Sequence, residues 1–110
     1  MEIKRETFRY FAAFTFGDDA PIITPGTEDY YSRPLSMKYK PTGVVIVYEK
    51  EPNGDWKCAK VTVEGVAYRK DGTVSRLDSV AWWWPKGGME DLADAPEFVR
   101  YLVKNHTPKD

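Results

Sequence analysis

Apolar and polar residues alternate through residues 7–16, so Phe8, Tyr10, Ala12, Phe14 and Phe16 share one face of a strand. Gly17-Asp18-Asp19 then reads as a turn. Residues 17–42 hold Pro21, Pro25, Pro34 and Pro41 among Ile22, Ile23, Tyr30, Tyr31, Leu35, Met37 and Tyr39. A structureless stretch of this length is uncommon inside a compact domain. A helical turn is expected over 27–32 and an extended piece over 36–40.

Residues 43–84 read as a three-stranded meander. Asp71-Gly72 is a two-residue hairpin signal, because a type I′ turn needs positive φ at both positions. Pairing outward from it sets Val63 opposite Val80, Val61 opposite Trp82 and Ala59 opposite Trp84. Asn53-Gly54 is a second such signal; Pro52 beside it leaves room for a longer loop. Its pairing sets Val44 opposite Val63, Ile46 opposite Val61 and Tyr48 opposite Ala59. The two registers agree on one apolar face: Val44, Ile46, Tyr48, Ala59, Val61, Val63, Val80, Trp82 and Trp84. Val45, Val47, Cys58, Lys60, Thr62, Glu64, Ser79, Ala81 and Trp83 take the other. A slip of one residue would exchange the faces.

After a connector over 85–93, residues 94–105 predict a helix. Asp94 and Glu97 form a capping pattern, with Pro96 in the first turn. Phe98, Val99, Leu102 and Val103 give its apolar stripe. That stripe and the aromatic sheet face both need cover, so the helix is expected to pack there. The fold class is α+β: an antiparallel meander of about four strands with one C-terminal helix on one face. The 110 residues form a single domain. The aromatic strand over 7–16 joins the sheet beside 44–48 or beside 80–84.

Composition narrows the function classes. Sixteen Lys and Arg stand against 17 Asp and Glu, a net charge of −1, which excludes a generally basic nucleic-acid glue. No apolar run approaches the roughly 18 residues of a membrane helix, and the mixed charges of residues 1–6 do not form a signal peptide. A single cysteine, Cys58, forbids an internal disulfide and a cysteine-based zinc site. A reducing cytoplasm is the expected setting.

Catalytic chemistry has few carriers. His106, the only histidine, lies near the end of the sequence and is expected to be structural. Cys58 has no evident base to activate it. Asp18, Asp19, Glu28 and Asp29 match no calcium loop and read as solvated turn residues. Gly87-Gly88 lacks the pattern of a phosphate loop. No catalytic residue, metal or cofactor is assigned.

Trp82-Trp83-Trp84-Pro85 is the most unusual run. With Trp82 and Trp84 in the core, Trp83 projects outward as a contact anchor, unless the 17–42 segment or the first strand covers it. Trp83, Tyr30, Tyr31, Arg33, Val45 and Val47 are the protein-contact candidates. Basic residues gather over 57–76, so Lys60, Arg69, Lys70 and Arg76 are candidates for single-stranded nucleic acid beside aromatic rings. An RNA-recognition pattern is absent.

Two stretches, Val-Glu-Gly-Val-Ala-Tyr-Arg-Lys-Asp-Gly-Thr-Val and Asp-Ala-Pro-Glu-Phe-Val-Arg-Tyr-Leu-Val, resemble small uncharacterised proteins of actinobacteria and their phages. The resemblance spans a little over half the chain and implies no activity, only a phage or mobile-element accessory role. The leading expectation is a non-enzymatic module that docks on another protein or on itself. Nucleic-acid binding through the basic hairpin is the second class, and an enzyme using the loop carboxylates the third.

Overall fold

The computed structural model describes residues 1–23, 38–68, 72–85 and 88–109. Five strands form one antiparallel sheet: β1 (Glu2–Arg5), β2 (Arg9–Thr15), β3 (Tyr39–Lys50), β4 (Trp56–Tyr68) and β5 (Val74–Trp83). They lie side by side in chain order. A 3₁₀ turn over Gly88–Leu92 leads to a helix, α1 (Glu97–His106).

The aromatic strand takes the place beside β3, with Tyr10 opposite Tyr48 and Phe14 opposite Val44. A further strand, β1, pairs outside it. Three of the four residues of β1 are charged, which blunts the sheet edge against further pairing. The extended piece at Tyr39 and Lys40 is the start of β3 itself. Ile23 bridges Tyr39 through two backbone hydrogen bonds of 2.8 and 2.9 Å. The helical turn expected over 27–32 lies outside the described residues.

Helix α1 covers the face that carries Ala12, Val44, Ile46, Tyr48, Val61 and Val63, all fully buried. Val99 and Val103 are its buried residues. The Phe98 ring meets Phe16 edge-on at 5.8 Å, and the His106 ring lies 4.7 Å from Phe14. The single histidine thus packs against an aromatic ring. At the other end, Tyr10 bridges Tyr48 at 5.9 Å and Trp56 at 6.4 Å, and Arg5 and Lys50 stand over the Trp56 ring.

A hydrogen bond ties helix to sheet. The buried Tyr48 hydroxyl donates to the Val103 carbonyl at 2.7 Å, and the Thr107 hydroxyl donates to the same oxygen at 2.8 Å. Burial pushes the Tyr48 phenol far above its ordinary range, and the Cys58 thiol beside it adds to the effect. Tyr48→Phe is expected to lower stability by about 1 kcal/mol in urea unfolding, because Thr107 still satisfies the carbonyl.

The helix begins three residues later than the capping pattern suggests. Pro96 occupies the cap position with ψ 152°, and no side chain caps the helix. A proline pushes the residue before it out of the helical region, so the helix cannot run back through Ala95 to Asp94. The Pro96 carbonyl instead accepts the first amides, from Val99 and Arg100.

The two hairpin turns are wider than two residues. Lys50 pairs with Trp56 across a five-residue loop, in which the Asn53 side chain accepts from the Asp55 amide and Gly54 takes φ +93°. Tyr68 pairs with Val74 around Gly72 at φ +87°. Near the first loop Tyr48 therefore pairs with Cys58, not Ala59. The Val44–Val63 and Ile46–Val61 pairs stand as the sequence indicates.

The larger departure is on β5. Val63 pairs with Ala81 and Val61 with Trp83, whereas Gly65 pairs with Leu77. Glu64 alone therefore faces Asp78, Ser79 and Val80. On the opposite side of Gly65, β3 carries its own extra residue, Thr42, between the Pro41–Gly65 and Gly43–Glu64 pairs. Both neighbours bulge where β4 has a glycine. A Cβ built on Gly65 would lie 2.5 Å from the Lys40 carbonyl oxygen and 3.2 Å from Val80 Cγ2. The wider loop between Tyr68 and Val74 shifts the β5 register by one residue and reverses the expected order of the tryptophans; the bulge opposite Glu64 adds two residues more and keeps that order. Trp83 packs against the core on the helix side, and Trp82 and Trp84 lie on the other side.

Candidate functional site

Among the described residues, no helix covers the second face of the sheet. Strand alternation brings Phe11 and Ala13 of β2, Val45 and Val47 of β3, Lys60 and Thr62 of β4 and Trp82 of β5 onto it. The apolar members are half-buried rather than enclosed. β-branched and aromatic residues form good strands for either face, so the strands themselves demand no such apolar stripe in water.

The stripe deepens at its β5 end. The Trp82 and Trp84 rings meet edge-on at 6.0 Å. Lys60 Nζ stands 5.7 Å from the Trp84 ring centre. With Thr62 and Ser79 these three side chains line an open cleft of about 320 Å³. Trp84 is 56% exposed. At the β1 end Lys4 Nζ lies 6.0 Å from the Phe11 ring. A cation over an indole contributes about 0.5–1 kcal/mol when exposed and more when a bound partner excludes water.

The sequence-derived candidates divide accordingly. Val45 and Val47 lie on the open face. Trp83 does not project outward: its register opposite Val61 turns it toward the helix. The Cys58 and Ala81 side chains move to the covered face for the same reason. Tyr30, Tyr31, Arg33, Arg69 and Lys70 lie outside the described residues. Lys60 and Arg76 are not one patch, since Arg76 pairs with Val66, six residues along β4 from Lys60, or roughly 20 Å at strand rise. Trp82, Trp84 and Phe11 are the face residues that sequence reasoning missed. For the two tryptophans the face is set by the loop between Tyr68 and Val74, which is wider than the two-residue turn that Asp71-Gly72 suggests.

The other candidate chemistry is quiet. Burial pushes the Cys58 thiol up to about 11, and its Sγ lies 3.8 Å from the Lys60 carbonyl oxygen. A thiol so raised is a poor nucleophile near neutrality. A thiol reagent at pH 8 is expected to label the native protein at least about a hundredfold more slowly than the urea-unfolded chain; comparable rates would contradict this environment. Burial also raises Tyr39 to about 12. Both groups are neutral below their unfolded values of 9.0 and 10.0. Their contribution to stability is therefore complete below pH 9 and falls as pH rises through 9 to 12.

The backbone carbonyl of Asp18 accepts a hydrogen bond from Lys40. Among the described residues no three His, Cys, Asp or Glu side chains gather around one point. A second depression, of about 320 Å³, lies between 15–21, Pro41 and Phe98, with Asp19 as its ionisable group among the described residues. No described helix is long and apolar enough to cross a membrane. No family model, curated protein or solved structure matches the chain.

Proposed function

We propose that the protein is a non-enzymatic binding module that docks on a protein surface through the sheet face opposite α1. The observation that carries this reading is the transverse row Ala13, Val45, Thr62 and Trp82, flanked by Phe11, Val47 and Trp84, with no described element over it. A sheet with two apolar faces ordinarily sits between two layers, and here α1 supplies one. Aromatic anchors beside a cation are typical of contacts that carry binding energy. The cytoplasm, where Cys58 stays reduced, is the proposed setting. A phage or mobile-element accessory role belongs to the same reading through the resemblance noted above.

The cleft between Trp82, Trp84 and Lys60 supports a second reading, stacking of a single-stranded nucleic acid. One experiment separates the two. Tagged wild-type protein and a Trp82→Ser variant are used to capture partners from host lysate, with and without nuclease. Docking predicts a stoichiometric protein, a second copy of the chain included, that survives nuclease and is lost with Trp82→Ser. Recovery that vanishes with nuclease, together with oligonucleotide binding that falls steeply with salt, would replace docking with the nucleic-acid reading. Identical capture by both proteins would remove the open face from either role.

A further inference from the structure

We infer that the occupant of the open face is a second copy of this chain, stacked face to face about a twofold axis that runs across the strands. This rests on the docking reading and names the partner. The pattern of charge and size over the face selects that partner.

The strand registers arrange the face in four transverse rows. The first holds Thr15, Gly43 and Glu64; the second Glu2, Ala13, Val45, Thr62 and Trp82. The third holds Lys4, Phe11, Val47 and Lys60; the fourth Arg9, Glu49 and Lys57. Acids Glu2 and Glu64 thus lie toward one end of the strands. Lys4, Lys60, Arg9 and Lys57 lie toward the other, with Glu49 among them.

A twofold axis across the strands, between rows two and three, keeps each strand over its own copy. It exchanges row one with row four and row two with row three. Glu2 then meets Lys4 of the second copy on β1, and Glu64 meets Lys57 on β4. Phe11 meets Ala13 on β2, and Glu49 meets Gly43 on β3, so large residues oppose small ones. Val47 meets Val45. The Trp82 and Trp84 pair of one copy stacks over that of the other, and the cleft is filled.

The other aligned stacking has its axis along the strands and fails on charge. It places Glu49 on its own copy and Arg9 of β2 over Lys57 of β4, both like-charge contacts. Sheets pack aligned about 10 Å apart, close enough for these pairs to decide the orientation. An acid-to-base gradient that is complementary to its own reverse is what a self-paired face requires. The net charge of −1 opposes self-association little.

Sedimentation equilibrium of the full chain, with light scattering, is the test. The wild type is expected at twice 12.6 kDa at about 100 µM. Lys57→Glu and Glu64→Lys each weaken the dimer by about tenfold or more, since the twofold repeats each contact. The double variant restores it. Both residues are on the strand surface, and circular dichroism confirms that each variant folds. A wild type that is monomeric at that concentration overturns the inference, as does a dimer indifferent to both charge reversals. If the chain is monomeric but Trp82→Ser still abolishes capture of a different protein, the second copy fails and docking stands. If Trp82→Ser changes neither, docking fails as well.

Discussion

Gly65→Ala is expected to lower the unfolding free energy by about 3 kcal/mol and the melting temperature by more than about 10 °C. The added methyl would sit 2.5 Å from the Lys40 carbonyl oxygen, a backbone atom held in the β3 pairing. Val80 Cγ2, 3.2 Å away, belongs to a fully packed core residue and has little room to yield. The two bulges on either side of Gly65 would have to open together. By contrast Gly54→Asn, at φ +93° with nothing within 4 Å, is expected to cost less than about 1 kcal/mol. Thermal and urea unfolding of the two variants check both values. Equal and small losses would mean that β3 and β5 do not close on β4 at Gly65.

Trp83→Ala is expected to cost about 2–3 kcal/mol, against less than about 1 kcal/mol for Trp82→Ala, when both are measured by urea unfolding at low chain concentration. Trp83 packs against the buried cluster beneath α1. Trp82 lies on the open face, in edge contact with Trp84. Low concentration matters because dimerisation stabilises the native state by mass action and would raise the apparent cost of Trp82→Ala. Near-equal losses would place both indoles in similar surroundings, which no single strand register allows for adjacent residues.

The two substitutions also mark where the sequence is legible and where it is not. The Val44–Val63 and Ile46–Val61 pairs follow from alternation and an approximate turn, because an error of turn length was absorbed by a bulge at Ala59. Helix α1 on the Val44, Ile46 and Tyr48 face follows from its apolar stripe. The acid in its first turn and the bases in its last complement the helix dipole. β1 was not legible: Glu-Ile-Lys-Arg has no alternation worth burying, and it forms a strand only because β2 offers an edge. The order of the tryptophans was not legible because strand faces invert with each extra residue. Counting from an idealised two-residue turn at Asp71-Gly72 misses the wider loop between Tyr68 and Val74, which shifts β5 by one residue and exchanges its faces, whereas the two residues added opposite Glu64 leave the faces as they are.

The candidate site inherits that error. Val45 and Val47 lie on the face away from α1 because their register is regular. The anchor shifts by one residue, from Trp83 to its two neighbours, which line a cleft with Lys60 and Thr62, residues the sequence already sets on that face. No catalytic reading gains from the change: Cys58 turns inward with a raised thiol and His106 packs on Phe14.

The central claim is that β5 pairs so as to turn Trp82 and Trp84 to the open face, and a nuclear Overhauser spectrum of isotope-labelled protein tests it most directly. Cross-strand backbone contacts are expected between Thr62 and Trp82 and between Val63 and Ala81. Contacts of Val61 with Trp82 and of Val63 with Val80 would show the register of a two-residue turn at Asp71-Gly72, put Trp83 on the open face and contradict the account.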